Sequence, residues 1–262
     1  MPIVQIDSIS LNYESIREVN APDDCILVFL HEALGSIPQW RGFPAELCKK
    51  MSMNGIVYER QGHGKSDALS GIRPPSYLHD YAYIELAQLL EILLPPQLKI
   101  ILVGHSDGGT IALLYASKFP KRVKAVITMA AHVIYEQETV AGIEPAIVAF
   151  EAGKLAKLSS FHGEKTRDLF YAWAHTWKNE NFKNWTICNE IRSFSGPSLI
   201  LQGKNDQYGT ELQLQLIKEN AAGDCTTLLL DACGHHPHLE QKEEVINLIY
   251  NWLSNKDPLC IR

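Results

Sequence analysis

Short apolar runs recur along this chain, and each is separated from the next by a stretch of helical periodicity. The runs are CILVFL (25–30), GIVY (55–58), KIILV (99–103), VKAVITM (123–129), SLILQ (198–202) and TTLLL (226–230). The helical patterns lie near 40–52, 77–94, 108–118, 210–221 and 238–254. Strands that read as continuously apolar are buried on both faces, and their alternation with helices predicts an α/β fold with a mostly parallel sheet and crossover helices on either side. Val4, Ile6, Ile9, Leu11 and Tyr13 alternate instead, which predicts an antiparallel hairpin at one sheet edge. One segment interrupts the rhythm. From 132 to 194 there is no convincing strand, but there are many aromatics: Phe150, Phe161, Phe170, Tyr171, Trp173, Trp177, Phe182 and Trp185. The expected organisation is a core of 1–131 and 195–262 with a helical cap inserted at 132–194.

A chain of 262 residues can bury a full core in one large domain. Its net charge of −6 leaves no basic excess to displace phosphate counterions, which argues against a nucleic-acid partner. The one compact basic cluster is Lys121, Arg122 and Lys124. The apolar runs are strand-sized, far short of a membrane span, and the first residues lack a basic start followed by an apolar stretch. A cytoplasmic location is therefore expected. Cysteines 25, 48, 188, 225, 233 and 260 are scattered without metal-ligand spacing and read as idle thiols in a reducing compartment. Cys260 is a conceivable cross-link, and the oligomeric state stays open.

GHSDGG (104–109) lies between the run KIILV and a helical pattern. A serine flanked by glycines at a strand-to-helix turn can be held in a tight, strained backbone that lifts its hydroxyl clear of the sheet. The helix behind it supplies unpaired N–H groups for a developing oxyanion, with that of Asp107 the expected donor. Ser106 needs a base. Asp206 follows one strand, in GKND (203–206), and His235 follows the next, in GHHPH (234–238). Each residue falls at the carboxyl end of a strand, in the order Ser, Asp, His, so the fold brings them to one edge. His235 would take the serine proton while Asp206 orients the imidazole. Asp224 precedes its strand and Asp231 is too near in sequence, so both are weaker acids for this role. His236 is the rival base. Gly234 favours His235, because it frees the backbone for a sharp presentation. A metal site built on His235, His236 and His238 is disfavoured, since only Cys233 accompanies them. GHGKS (62–66) mimics a phosphate loop, but Glu59 stands where that motif needs glycine. It reads as a turn.

These residues carry a resemblance. With FLHEALGS (29–36) and ERQGHGKSD (59–67), they make the chain resemble an α/β-hydrolase over nearly its full length, and most of all small cap-bearing serine esterases such as the valacyclovirase (biphenyl-hydrolase-like) group. The resemblance implies a sheet of about eight strands, a cap over the pocket and no cofactor. Carried over by position, it makes the Ala33 N–H the second oxyanion donor. Glu32 replaces the family's usual glycine after the histidine and sets a carboxyl near the reacting centre. His31 reads as a loop-packing residue.

A serine nucleophile with this constellation predicts hydrolysis of small-molecule carboxylic esters through an acyl-enzyme. C–C bond hydrolysis of diketones is the neighbouring reading, and a slow-turnover ligand receptor on the same fold is a third. Glu32 and Asp107 are candidate ligands for a substrate amino group, a role the valacyclovirase-like group associates with the Asp after the serine. The alternative is that Asp107 pairs inside the protein and Glu32 reaches Arg60 or Arg41. Trp173 and Trp177 are candidate pocket residues, as rings of the cap.

Overall fold

A computed structural model describes residues 2–19 and 21–256. Cys260 lies outside them. The chain opens with an antiparallel hairpin, β1 (Ile3–Ile6) and β2 (Ile9–Ile16), and continues through β3 (Cys25–Leu30), helix α1 (Phe43–Met51) and β4 (Gly55–Tyr58). Helices α2 (Tyr77–Asp80) and α3 (Leu86–Leu93) are joined by a π-helical turn at Tyr81–Glu85. Then come β5 (Lys99–His105), α4 (Asp107–Lys118) and β6 (Val123–Met129). The long segment before β7 (Ser198–Gly203) holds α5 (Gln137–Glu151), α6 (Ser159–His162) and α7 (Thr166–Lys178). The chain ends with α8 (Glu211–Asn220), β8 (Cys225–Leu230), α9 (Pro237–Glu240) and α10 (Lys242–Lys256).

The eight strands form one sheet in the order β1-β2-β4-β3-β5-β6-β7-β8. β1 and β2 are antiparallel to each other and β2 to β4; the remaining neighbours are parallel. This is the α/β-hydrolase arrangement expected from the sequence, with the hairpin at the edge. Side chains of β3 and β5 alternate strictly between two cores. Ile26, Val28 and Leu30 join Ile100 and Leu102 on the face covered by α3 and α4. Cys25, Leu27 and Phe29 join Ile101 and Val103 on the face covered by α1 and α10. A period of two with both faces apolar is why these runs look uniformly hydrophobic in sequence. Each fully buried Leu, Val or Phe contributes roughly 2 kcal/mol of burial free energy.

Two glycines fix how the central helix meets the sheet. A Cβ at Gly108 would lie 1.9 Å from the Leu30 carbonyl oxygen, and one at Gly104 would lie 2.2 Å from that of Gly108. Only bare backbone lets α4 dock this close to β3 and β5. Within 132–194 the described residues form no strand, only an isolated bridge between Ile134 and Thr186. The helix expected over 238–254 is broken at Gln241, where α9 ends and α10 begins. No described helix is long and apolar enough to cross a membrane.

Candidate active site

β5 ends at His105, and Ser106 stands alone between it and the first residue of α4. Its φ of 53° and ψ of −119° are a strained conformation for a non-glycine residue. The bend is held by the Ser106 N–H, which donates to the Met129 carbonyl at 2.8 Å, and by the Ser106 carbonyl, which accepts from Gly109 and Thr110. The hydroxyl therefore projects from the sheet's carboxyl edge.

Across that edge stands His235, its Nε2 3.0 Å from Ser106 Oγ. Its Nδ1 lies 2.8 and 3.0 Å from the two oxygens of Asp206. Burial pushes the Asp206 carboxyl up, but the hydrogen bond and charge of His235 and the Tyr208 N–H outweigh it, and the net direction is down. An ionised Asp206 obliges Nδ1 to carry the ring proton, which leaves Nε2 to accept from the serine hydroxyl. The Tyr208 N–H donates to Asp206 Oδ1 at 2.9 Å and the Tyr208 ring packs edge-on against His235 at 4.8 Å. His236 does not reach the serine. Its N–H is taken by Glu240 Oε1 at 2.9 Å. The sharp backbone expected at Gly234 sits instead at Ala232, with φ 51°. Gly234 is held by its N–H donating to Glu240 Oε2 at 2.7 Å.

The loop after β3 is tied down carbonyl by carbonyl. Arg60, fully buried, donates from Nη1 to the His31 carbonyl at 2.5 Å and from Nη2 to that of Glu32 at 2.7 Å. His63 Nε2 lies 3.0 Å from the Ala33 oxygen, and His162 Nε2 2.9 Å from the Leu34 oxygen. With four consecutive carbonyls drawn to these partners, the Ala33 and Asp107 N–H groups have no acceptor among the described residues. His31 is a packing residue in geometry as well: its Nε2 accepts from the Arg60 N–H at 3.1 Å. The turn at 62–66 closes on a carboxylate rather than a phosphate. Glu59 accepts from the Lys65 N–H at 2.7 Å, and a Cβ on Gly64 would lie 2.0 Å from its carboxyl carbon.

A cavity of about 250 Å³ opens over the serine. It is lined by Glu32, Ala33, Ser106, Asp107, Trp173, Trp177 and His235, with Asp206 behind the histidine. Seven of the eight residues singled out from the sequence thus face one space. Their pairings differ from the amine-binding expectation in one respect. Asp107 Oδ2 accepts from the Tyr77 hydroxyl at 2.9 Å, and that hydroxyl accepts from Trp177 Nε1 at 3.1 Å. Asp107 pairs inside the protein, although burial still raises its carboxyl against the pull of Arg60 and Arg73. Glu32 does not pair with an arginine through its carboxylate: Arg60 holds its carbonyl, and Oε2 accepts from the Leu34 N–H at 2.7 Å. Burial raises the Glu32 carboxyl too.

Sequence reasoning missed His132, whose ring packs at a tilt against Trp177 with centroids 5.2 Å apart and which lines the cavity. Burial brings its imidazole down to about 4, so it is neutral. The signal was available, for it is a polar residue just past the carboxyl end of β6. No group of three or more His, Cys, Asp or Glu side chains among the described residues is arranged to hold a metal ion.

The alpha/beta hydrolase fold family model matches residues 26–179, and the chain belongs to that family of enzymes. Among characterised proteins it is similar to the 2-hydroxy-6-oxo-2,4-heptadienoate hydrolase of Pseudomonas putida, at 28% identity over 61% of this chain and 65% of that one, just under two thirds of the relative's length. It is also similar to a proline iminopeptidase of Lactobacillus delbrueckii subsp. bulgaricus, at 24% identity over 90% of this chain and 92% of that one. Among solved structures, the enol-lactonase of Burkholderia xenovorans LB400 superposes with a TM-score of 0.75, at 16% identity over 97% of this chain and 100% of that one.

Proposed function

We propose that this hydrolase cleaves small-molecule carboxylic esters through a serine acyl-enzyme, with Ser106 as nucleophile, His235 as base and Asp206 as its partner. The observation that carries the reading is the continuous hydrogen-bonded line from Asp206 through His235 to Ser106, ending in a mainly apolar cavity. Ser106 Oγ attacks the ester carbonyl carbon as its proton passes to His235 Nε2. The carbonyl oxygen becomes an oxyanion that accepts from the Ala33 and Asp107 N–H groups, with the N-terminus of α4 behind it. Collapse breaks the bond to the alkoxy oxygen, which leaves as the alcohol with the proton from His235. Water then attacks the acyl-enzyme by the same route and releases the acid. Residues 132–194 serve as a cap whose Trp173 and Trp177 close the acyl side of the cavity. A substrate amine would meet Glu32, which lines the cavity and has one carboxylate oxygen bound to the Leu34 N–H, rather than Asp107, which Tyr77 occupies.

The similar proteins are named for different substrates, a heptadienoate, proline and an enol-lactone, so they support hydrolysis and leave the substrate to the cavity. The test is turnover of short-chain 4-nitrophenyl esters with Ser106→Ala as blank, together with labelling by a fluorophosphonate. Multiple turnovers and one label on Ser106 are expected. Turnover no faster than the blank would remove the esterase reading and bring forward C–C hydrolysis or ligand reception.

A further inference from the structure

A second cavity, of about 390 Å³, abuts the first, and Glu32, Gln39 and His236 line both. Two exposed cations are among its lining residues, one from the core and one from the inserted segment. Arg41 comes from the core, in the left-handed region at φ 47°, just after the 3-10 turn Ile37–Trp40. Its backbone is fixed, since its carbonyl accepts from Lys242 Nζ at 3.0 Å. Lys157 comes from the inserted segment, in the 3-10 turn Ala156–Leu158. Neither the guanidinium nor the ammonium has a hydrogen bond or ion pair among the described residues, whereas the neighbouring Lys242 is paired with Glu46 at 2.8 Å. The histidines lining this cavity add no charge at neutral pH, because burial brings His236 down to about 4 and His238 to about 3. Glu32 is the one carboxylate that lines the chamber, and one of its oxygens is engaged by Leu34.

Two exposed cations and one partly engaged carboxylate leave the chamber's rim with a net positive charge, which attracts an anion. Which half of the substrate brings that anion follows from the reaction. His235 must hand its proton to the leaving oxygen, and the outer chamber begins at the adjacent His236, while the indole-lined inner chamber takes the acyl group. We infer that the outer chamber is a binding site for an anionic leaving group, so that the substrate class is a small apolar acyl group esterified to an alcohol or phenol bearing a carboxylate. This rests on the esterase reading for its chemistry but not for its binding.

The experiment compares 4-acetoxybenzoate with 4-acetoxybenzamide, which share an acyl group and differ in the charge at the far end of the leaving group. The ratio of their kcat/KM values is insensitive to the fraction of active protein. The acid is expected to be favoured by about fivefold at low ionic strength, as two partly solvated ion pairs would supply. The ratio should fall to about one in the doubly substituted Arg41→Gln, Lys157→Gln protein, and toward one in about 0.5 M salt. A ratio near one in the unsubstituted protein, or one that survives both substitutions, overturns the inference. A parallel titration of Ser106→Ala with 4-hydroxybenzoate and 4-hydroxybenzamide needs no turnover. Tighter binding of the acid upholds the anion site even if neither ester is hydrolysed, in which case only the esterase reading fails. Equal binding overturns the anion site.

Discussion

Ser106 is held at a positive φ by bonds on both sides of it, and a hydroxyl so fixed cannot be replaced by another at a nearby position. Ser106→Ala and His235→Ala are each expected to lower kcat for short esters by about 10⁴-fold or more, and Asp206→Asn by about 10⁴-fold, because the amide would present its N–H₂ to Nδ1 and select the wrong tautomer. Steady-state kinetics with circular dichroism as a fold check would decide this; a loss below tenfold for Asp206→Asn would contradict the assigned role. The two carboxyls beside the serine are expected to behave differently. Asp107→Asn should leave the preference between an α-amino ester and its N-acetyl counterpart within about twofold, since its carboxylate is already bound by Tyr77, whereas Glu32→Gln should lower any preference for the free amine. The candidate site was legible in the sequence because Ser106, Asp206 and His235 each follow an apolar run. The pairing of Asp107 was not legible. Its partner is thirty residues away on α2, and no local spacing reveals which side of a helix N-terminus such a carboxyl faces.

The alternation of apolar runs and helical periods fixed which elements exist, since a parallel sheet covered on both faces leaves that imprint. It did not reveal where their backbones depart from ideal geometry. The turn before His235 takes its positive φ at Ala232, while Gly234 donates its N–H to Glu240. The pattern over 77–94 conceals a π-helical turn, because one extra residue per turn barely disturbs an apolar period. That turn carries Glu85, which accepts from the Gln61 N–H at 2.9 Å and which burial raises to about 7. A carboxyl raised in the folded state stabilises it below its unfolded value, near 4.5, and that contribution is lost as pH rises through about 7. Glu85→Gln should therefore raise the urea midpoint at pH 8.5 relative to the parent by more than it does at pH 5; an equal shift at both would show that the carboxyl's charge is not the cause. Where α4 crosses β3, Gly108→Ala should cost about 3 kcal/mol or more, measured by urea unfolding, because the added methyl meets backbone that cannot rotate away.

Seven of the ten histidines are lowered, in each case chiefly by burial. Groups buried neutral stabilise the fold fully above their unfolded value, near 6.5, and lose that contribution as pH falls toward their folded values, because the unfolded chain takes up more protons. Urea midpoints are expected to drop steadily from pH 7 to pH 5, against the smaller opposite trend of Glu85. A flat profile would mean that these rings are not neutral in the fold. One of them, His162, has both nitrogens engaged: Nδ1 accepts from the Gly64 N–H at 2.9 Å while Nε2 donates to the Leu34 carbonyl. Lys165, three residues on, donates to the carbonyls of Gly64 and Ser66. The inserted segment is thus pinned both to the turn at 62–66 and, through Leu34, to the stretch of chain that presents the Ala33 N–H. A swing of α6 away from the core would break the His162 bonds to Leu34 and Gly64. On the proposed assignment of the Ala33 N–H as an oxyanion donor, size exclusion and reactivity would share one fastening, and a substrate too large for the chamber would disturb that donor as well as meet a narrow door.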